Sequence, residues 1–251
     1  MIDPAAVTRL LDATTIEELW DVHTRAMADY GFDRLLYGCT QFRTATSLGH
    51  PDDFIVLTNH APAYIEGFVQ GGLYFHAPML RWSLDHDGAC SWSLLDDRLA
   101  TDDLTLEERA VIDFNRKHGV TAGYSISFKS LHPRMKAAIA LTACAEMTQA
   151  QVDAIWRAHG ATILALNTVA HRCILSLPYQ SPKHPLTDRQ REVLGWVSDG
   201  KTVQDIAVLM GLRPVTVEKH LRLARHALSV ETTAQAVLKA AFQNQIFVLD
   251  R

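Results

Sequence analysis

The stretch Arg213 to Leu228, RPVTVEKHLRLARHAL, gathers three arginines, one lysine and two histidines. Cations at this density neutralise phosphate or carboxylate, and in a chain of formal charge −4 they ask for a reason. Wound as a helix, the stretch turns Val217, Leu221, Ala224 and Leu228 to one inward face. Lys219, Arg222 and His226 then lie on another side, with Glu218 and Arg225 flanking them. In the major groove an arginine reads guanine and a carboxylate accepts from cytosine, while neighbouring cations hold phosphates. A solvated basic face on an ordinary bundle would carry the same charges, so the charges alone leave both readings open.

Other chemistry finds little support. None of the twelve histidines forms HExxH or pairs with cysteine at zinc spacing. GYSIS is not a GxSxG elbow, and no glycine-rich phosphate loop is present. The acidic stretches DHDG (Asp85 to Gly88) and DDRLATDD (Asp96 to Asp103) lack the ligand order of an EF-hand and read as solvated loops. Trp82, Trp92 and Trp156 read as core. With no nucleophile–base constellation, an enzyme is not expected, nor a cofactor or metal.

The elements around the basic stretch decide its reading. Thr187, with Gln190 three residues on, starts a helix that buries Val193, Leu194 and Val197 and stops at Gly200. TVQDIAVLMG makes a second helix, capped by Thr202 and buried through Ile206, Ala207 and Met210; Gly211 turns the chain and Pro214 suits the first turn of the basic helix. TTAQAVLKAAFQNQI is the fourth. A helix, a glycine-containing turn and a cationic second helix make a helix-turn-helix, which favours DNA over the solvated face.

Ahead of it, LPYQSPKHPLT (Leu177 to Thr187) cannot continue a helix, because its prolines lack the backbone N–H and restrict their neighbours. The expected organisation is a domain over 1–177, a linker over 178–185 and a helical domain over 186–251. In the first domain, TTIEELWDVHTRAMADYG spaces Ile16, Leu19, Trp20, His23, Met27 and Tyr30 as a helix, and LTLEERAVIDFNRKHG is another. Thr148 and Gln151 fit a capping box ahead of a long third helix. Between them RLLYGCTQF, DFIVLT, GYSISF and AAIALTACA read as strands. This is an α+β arrangement, with helices on both faces of a sheet. Up to about residue 178 acids exceed bases by about seven, whereas from 186 on bases exceed acids by about two, an asymmetry that suits a nucleic-acid-facing second half. Four scattered cysteines, no leader and no long apolar run suggest a reduced, cytoplasmic protein without a membrane partner.

LTDRQREVLGWVSDGKTVQDIAVLMGLRPVTVEKHLRLARHALSVETTAQAVLKA resembles the C-terminal DNA-binding domain of the LuxR family of bacterial transcription regulators. Leu194 and Gly200 match framework positions. Gln190 stands where the family usually has Glu, and Arg213 where a serine usually caps the recognition helix, a change that costs about 1 kcal/mol. GVTAGYSISF and the TNHAPAYIEGFVQGGLYFHAPML…CSWSLL segment are similar to the domain that binds acyl-homoserine lactones in the quorum-sensing branch; Gly123, Pro78 and Trp92 match outright. The resemblance implies an N-terminal α/β/α sandwich that binds a small amphiphilic signal, joined to an all-α four-helix helix-turn-helix domain. It also implies a homodimer on palindromic double-stranded DNA. It places His60, Tyr64, Phe68, Ala77 and Trp92 at the ligand. Tyr64 stands for a tryptophan that donates to the lactone carbonyl, Phe68 and His60 for tyrosines, and Ala77 for the aspartate that accepts the ligand's amide N–H. These changes point to a more apolar site, for a lactone held differently, for another signal or for none; His76, Ser125 or Ser127 could supply the missing polar group. On DNA, Arg222 and Glu218 are expected at bases, Lys201, Arg213, Lys219 and Arg225 at phosphates, with Thr216 beside them. A partner protein in place of DNA is the remaining alternative.

Overall fold

The computed structural model of the 251-residue chain describes residues 4–44, 47–49, 51–130, 132–179 and 185–246. They form two compact units that divide between Leu175 and Ser176.

The first unit opens with helices α1 (Pro4–Asp12) and α2 (Ile16–Ala28). Thr15 caps α2 by accepting from the Glu18 amide at 3.1 Å. Ile16, Leu19, His23 and Met27 are buried as the spacing predicts, while Trp20 and Tyr30 remain half-buried. There follow β1 (Phe32–Thr40), β2 (Ile55–Thr58), α3 (Pro62–Ile65), α4 (Pro78–Asp85), β3 (Gly88–Ser91), α5 (Ser93–Ala100), α6 (Leu106–Lys117), β4 (Gly123–Phe128), β5 (Lys136–Ala143) and α7 (Gln149–Ser176). The strands make one antiparallel sheet in the order β2-β1-β5-β4-β3.

Two findings differ from the sequence reading. β3 is an additional strand, too short and too uniformly small in its side chains (GACS) to show alternation. The acidic stretch Asp96–Asp103 is mostly helix rather than loop, because Arg98 on α5 binds the buried Glu108 carboxylate of α6 at 3.2 Å and the Asp103 carbonyl at 2.6 Å. Thr105 and Glu108 form a capping box, as do Thr148 and Gln151 before α7.

Register sorts the sheet into two unlike faces. One carries Tyr37, Ile139 and Ile126 in a row, with Phe128 and Tyr124 on the same side of β4. Here α7 packs: His171 meets the Tyr37 hydroxyl at 2.9 Å and stacks on Phe128 at 4.2 Å, while Trp156 stacks on Tyr124 at 4.0 Å. α2 joins this layer through a 3.0 Å hydrogen bond between His23 Nε2 and Asn167 Oδ1. The opposite face runs Leu36–Ala140–Ser125 and Gly38–Ala138–Ser127, almost all small residues. The short helices α3 to α6 lie over it, with the Ser127 hydroxyl donating to the Ser83 carbonyl of α4 at 2.7 Å.

The second unit contains α8 (Asp188–Ser198), α9 (Val203–Leu209), α10 (Pro214–Ala227) and α11 (Thr233–Phe242). Three of its helices begin with reciprocal capping boxes, Thr187/Gln190, Thr202/Asp205 and Thr232/Gln235. Gly200 and Gly211 supply the positive φ angles, 78° and 64°, that turn the chain after α8 and α9. Val193, Leu194, Ile206, Val217 and Ala224 form the dry centre, whereas Val197 and Met210 are only partly buried against it. Lys239 is buried and its ammonium donates to the Leu228 carbonyl at the end of α10 at 2.6 Å. Ahead of α8, the Tyr179 amide donates to the Gln243 carbonyl and the Asn244 side chain to the Leu177 carbonyl, so both segments belong to this unit. Residues 180–184 of the expected linker lie outside the described residues.

Candidate ligand cavity and nucleic-acid interface

The small-residue face of the sheet and the helices over it leave a cavity of about 240 Å³ inside the first unit. That is room for many waters, the scale of a small molecule rather than of a packing defect. His60, Tyr64, Phe68, Ala77 and Trp92 all line it. His60, Tyr64 and Phe68 form a continuous stack, with ring centres 4.5 Å and 5.2 Å apart. The Tyr64 hydroxyl donates to Asn115 Oδ1 on α6 at 3.1 Å. Trp92 donates from Nε1 to the Ser125 hydroxyl at 3.0 Å. Gly123 permits this: a Cβ there would stand 2.9 Å from the Trp92 ring and 2.2 Å from the Leu141 carbonyl oxygen. Ala77 precedes α4 and is 7 % exposed. Of the three residues that could replace an aspartate there, Ser125 lines the cavity, Ser127 is committed to Ser83, and His76 is exposed and outside the lining.

Beside the aromatic stack the lining is uncharged; its Lys136 is mostly buried and pairs with Asp87 at 2.9 Å. Burial, with the Arg34 charge adding to it, lowers the His60 pKa to about 4, so its imidazole is uncharged at neutral pH. Burial likewise raises the Tyr64 phenol well above its usual value. The lining's acid Asp96 and its Arg116 are both exposed. Tyr74 and Asn115, which sequence reasoning missed, also line the cavity. Asn115 had a signal: it lies one helical turn after Val111 and Ile112, which face the same space. Tyr74 sits in a short 3₁₀ turn, Leu73–His76, without periodicity to reveal it.

In the second unit Arg213, Glu218, Lys219 and Arg222 are exposed on α10 or at its start, and Lys201 is exposed before α9. Val215, Glu218, Lys219, Leu221, Arg222 and Arg225 border a shallow concavity. Among the described residues Lys219 and Arg222 form no salt bridge, so both cations are open to an external anion. Arg225 is half-buried and donates to the Thr233 hydroxyl at 3.0 Å, which fixes its guanidinium between α10 and α11. Thr216 is half-buried. Arg213 has the extended backbone of an N-cap but no side-chain cap bond.

Residues 15–174 match the autoinducer binding domain, and residues 184–240 match the luxR family of bacterial regulatory proteins. The chain belongs to the LuxR family. This LuxR-family chain is a transcriptional regulator that joins an autoinducer-binding domain to a DNA-binding helix-turn-helix domain, and its family consists of regulators rather than enzymes. It is 22 % identical over 195 residues to the transcriptional activator CarR of Pectobacterium carotovorum subsp. carotovorum, covering 74 % of this chain and 77 % of that one. Its fold is similar to SdiA in complex with octanoyl-rac-glycerol (SdiA of Escherichia coli), with a TM-score of 0.53 at 17 % identity over 96 % of this chain and 93 % of that one. It is also similar to the N-acylhomoserine-lactone-dependent CepR2 of Burkholderia cenocepacia, with a TM-score of 0.52 at 19 % identity over 67 % and 91 % of the two chains. Among the described residues no helix is long and apolar enough to cross a membrane.

Proposed function

We propose that this regulator works in the cytoplasm as a homodimer, sensing an uncharged amphiphile in the cavity of its first unit and reading a palindromic DNA site with two copies of α10. The observation that carries the reading is the cavity itself: about 240 Å³, lined on one side by Gly38, Ala138 and Ala140 and on the other by the His60–Tyr64–Phe68 stack. An acyl tail fits the apolar floor, and a lactone or comparable head fits the aromatic end, with Trp92 beside it. On DNA, Arg222 and Glu218 are assigned to base edges. Lys201, Arg213, Lys219 and Arg225 are assigned to phosphates, with Thr216 at the helix start.

Selection of binding sites from randomised duplex DNA, with sedimentation of the resulting complex, tests the DNA half. Inverted half-sites about one helical turn apart and two chains per duplex are expected. A single unrepeated half-site bound by one chain would contradict it.

A second reading is a regulator that folds without any signal. It is favoured by the Tyr64 hydroxyl, which is bonded to Asn115 within the chain, and by Ala77, which offers a ligand only a methyl group.

A further inference from the structure

The polar groups around the cavity say what kind of head group fits it; this inference rests on the reading above, that the cavity holds a small amphiphile. Tyr74 lines the cavity and is 8 % exposed, and its hydroxyl is buried with no hydrogen-bond partner among the described residues. The ring is held in place, stacked on Phe75 at 4.2 Å and edge-on to Phe54 at 6.3 Å. A buried phenol hydroxyl left unpaired is costly, so its retention here points to a partner that arrives from outside.

Two more lining residues have donors to spare. Asn115 spends its Oδ1 on the Tyr64 hydroxyl, and its side-chain N–H groups meet no acceptor among the described residues. Ser125 accepts from Trp92, and its own hydroxyl hydrogen likewise has no acceptor among them. Against these donors the buried part of the lining sets no carboxylate; Asp96 is exposed and Ala77 contributes a methyl. The neutral His60 imidazole brings one acceptor nitrogen, and its Nε2 already meets the Thr142 hydroxyl at 3.5 Å, so the inventory holds more spare donors than spare side-chain acceptors.

We propose that this cavity recognises its ligand through oxygen acceptors alone: a neutral acyl compound whose carbonyl, ester or hydroxyl oxygens take hydrogen bonds from Tyr74, Asn115 and Ser125, and whose linkage needs no N–H. To such a site an acyl ester is a better fit than an acyl amide of the same shape, because the buried lining sets no carboxylate against the amide N–H. Each spare donor gains an acceptor, and the ester brings no N–H that would go unpaired.

The test titrates the full chain with octanoyl-homoserine lactone and with the analogue in which the amide N–H is replaced by an ester oxygen, following intrinsic fluorescence and melting temperature. The ester is expected to bind several-fold more tightly than the amide, since only the amide buries an N–H without an acceptor. Tyr74→Phe should weaken both at least fivefold while leaving the ligand-free melting temperature unchanged or higher, since the substitution removes only an unpaired hydroxyl. Ester binding weaker than amide binding would show an acceptor for the N–H and overturn the proposal, as would a Tyr74→Phe chain that binds both compounds undiminished. Binding of neither compound by the wild-type chain would remove the lactone-shaped amphiphile reading itself and this inference with it, an outcome distinct from weaker ester binding.

Discussion

At the scale of single residues, the second unit separates anchoring from reading. Arg225 donates to Thr233 and Lys239 to the end of α10, contacts that steady the helix, and the remaining N–H groups of Arg225 are the ones assigned to a phosphate. Lys219 and Arg222 hold no salt bridge among the described residues and are exposed. If Arg222 reads a base, Arg222→Ala should lose about 1–3 kcal/mol on a selected site and little on random duplex; equal losses on both would reduce it to a phosphate contact. Arg213 makes the opposite bargain. Its side chain caps nothing, so Arg213→Ser should stabilise the second unit by about 1 kcal/mol in thermal melts. The same change should lower affinity for every duplex alike and reduce the slope of log affinity against log salt by about one. A variant that binds as well as wild type with the same salt slope would remove Arg213 from the interface.

At the scale of elements, legibility in the sequence follows the range of the interaction. The helices of the second unit could be read because their starts are local devices, a threonine with Gln190, Asp205 or Gln235 three residues on for three of them and Pro214 in the first turn of α10. The sheet could be read only where alternation or length showed it, so β3 with its four small residues escaped, and α5 was hidden by acids whose partner Arg98 is paired across to α6. The cavity's donor set was less legible still. Gly38, Ala138 and Ala140 look like ordinary strand residues until register lays them side by side, and Tyr74 and Asn115 reach the same space from unrelated segments. Resemblance to a family supplied the five lining positions; it did not supply what their neighbours do.

The α2–sheet–α7 layer adds a prediction of its own. Burial lowers the pKa of His23 to about 4, against the hydrogen bond its Nε2 makes to the accepting Asn167 Oδ1, and lowers that of His171 to about 4 with Arg172 adding to it. Folded-state values depressed below the unfolded 6.5 mean that the unfolded chain binds more protons between these limits. The stabilisation is complete above pH 6.5 and is lost as pH falls toward 4. His23 alone should cost the first unit roughly 2 kcal/mol between pH 7.5 and pH 5. Denaturant midpoints that stay flat over that range would show that these imidazoles take up protons in the fold as readily as in the unfolded chain.

At the scale of the whole molecule, a signal-sized space in one unit is joined to a helix-turn-helix in the other. A ligand that binds only the folded state stabilises it by mass action, about 2.7 kcal/mol at a hundredfold excess over Kd. For a unit of this size that is a rise of roughly 5–10 °C in melting temperature. The most direct measurement compares wild type with Ala140→Leu, a substitution that fills the cavity floor from the centre of the sheet, where Ala140 is still partly exposed to the cavity. Both chains are melted with and without octanoyl-homoserine lactone, and the retained lactone is counted by mass spectrometry. A raised melting temperature and close to one lactone per chain are expected for wild type, and neither for Ala140→Leu, whose melting temperature without lactone stays at or above that of wild type. A wild-type chain that is stable, retains no lactone and gains nothing from it would contradict the account, as would an Ala140→Leu chain that binds the lactone as well as wild type does.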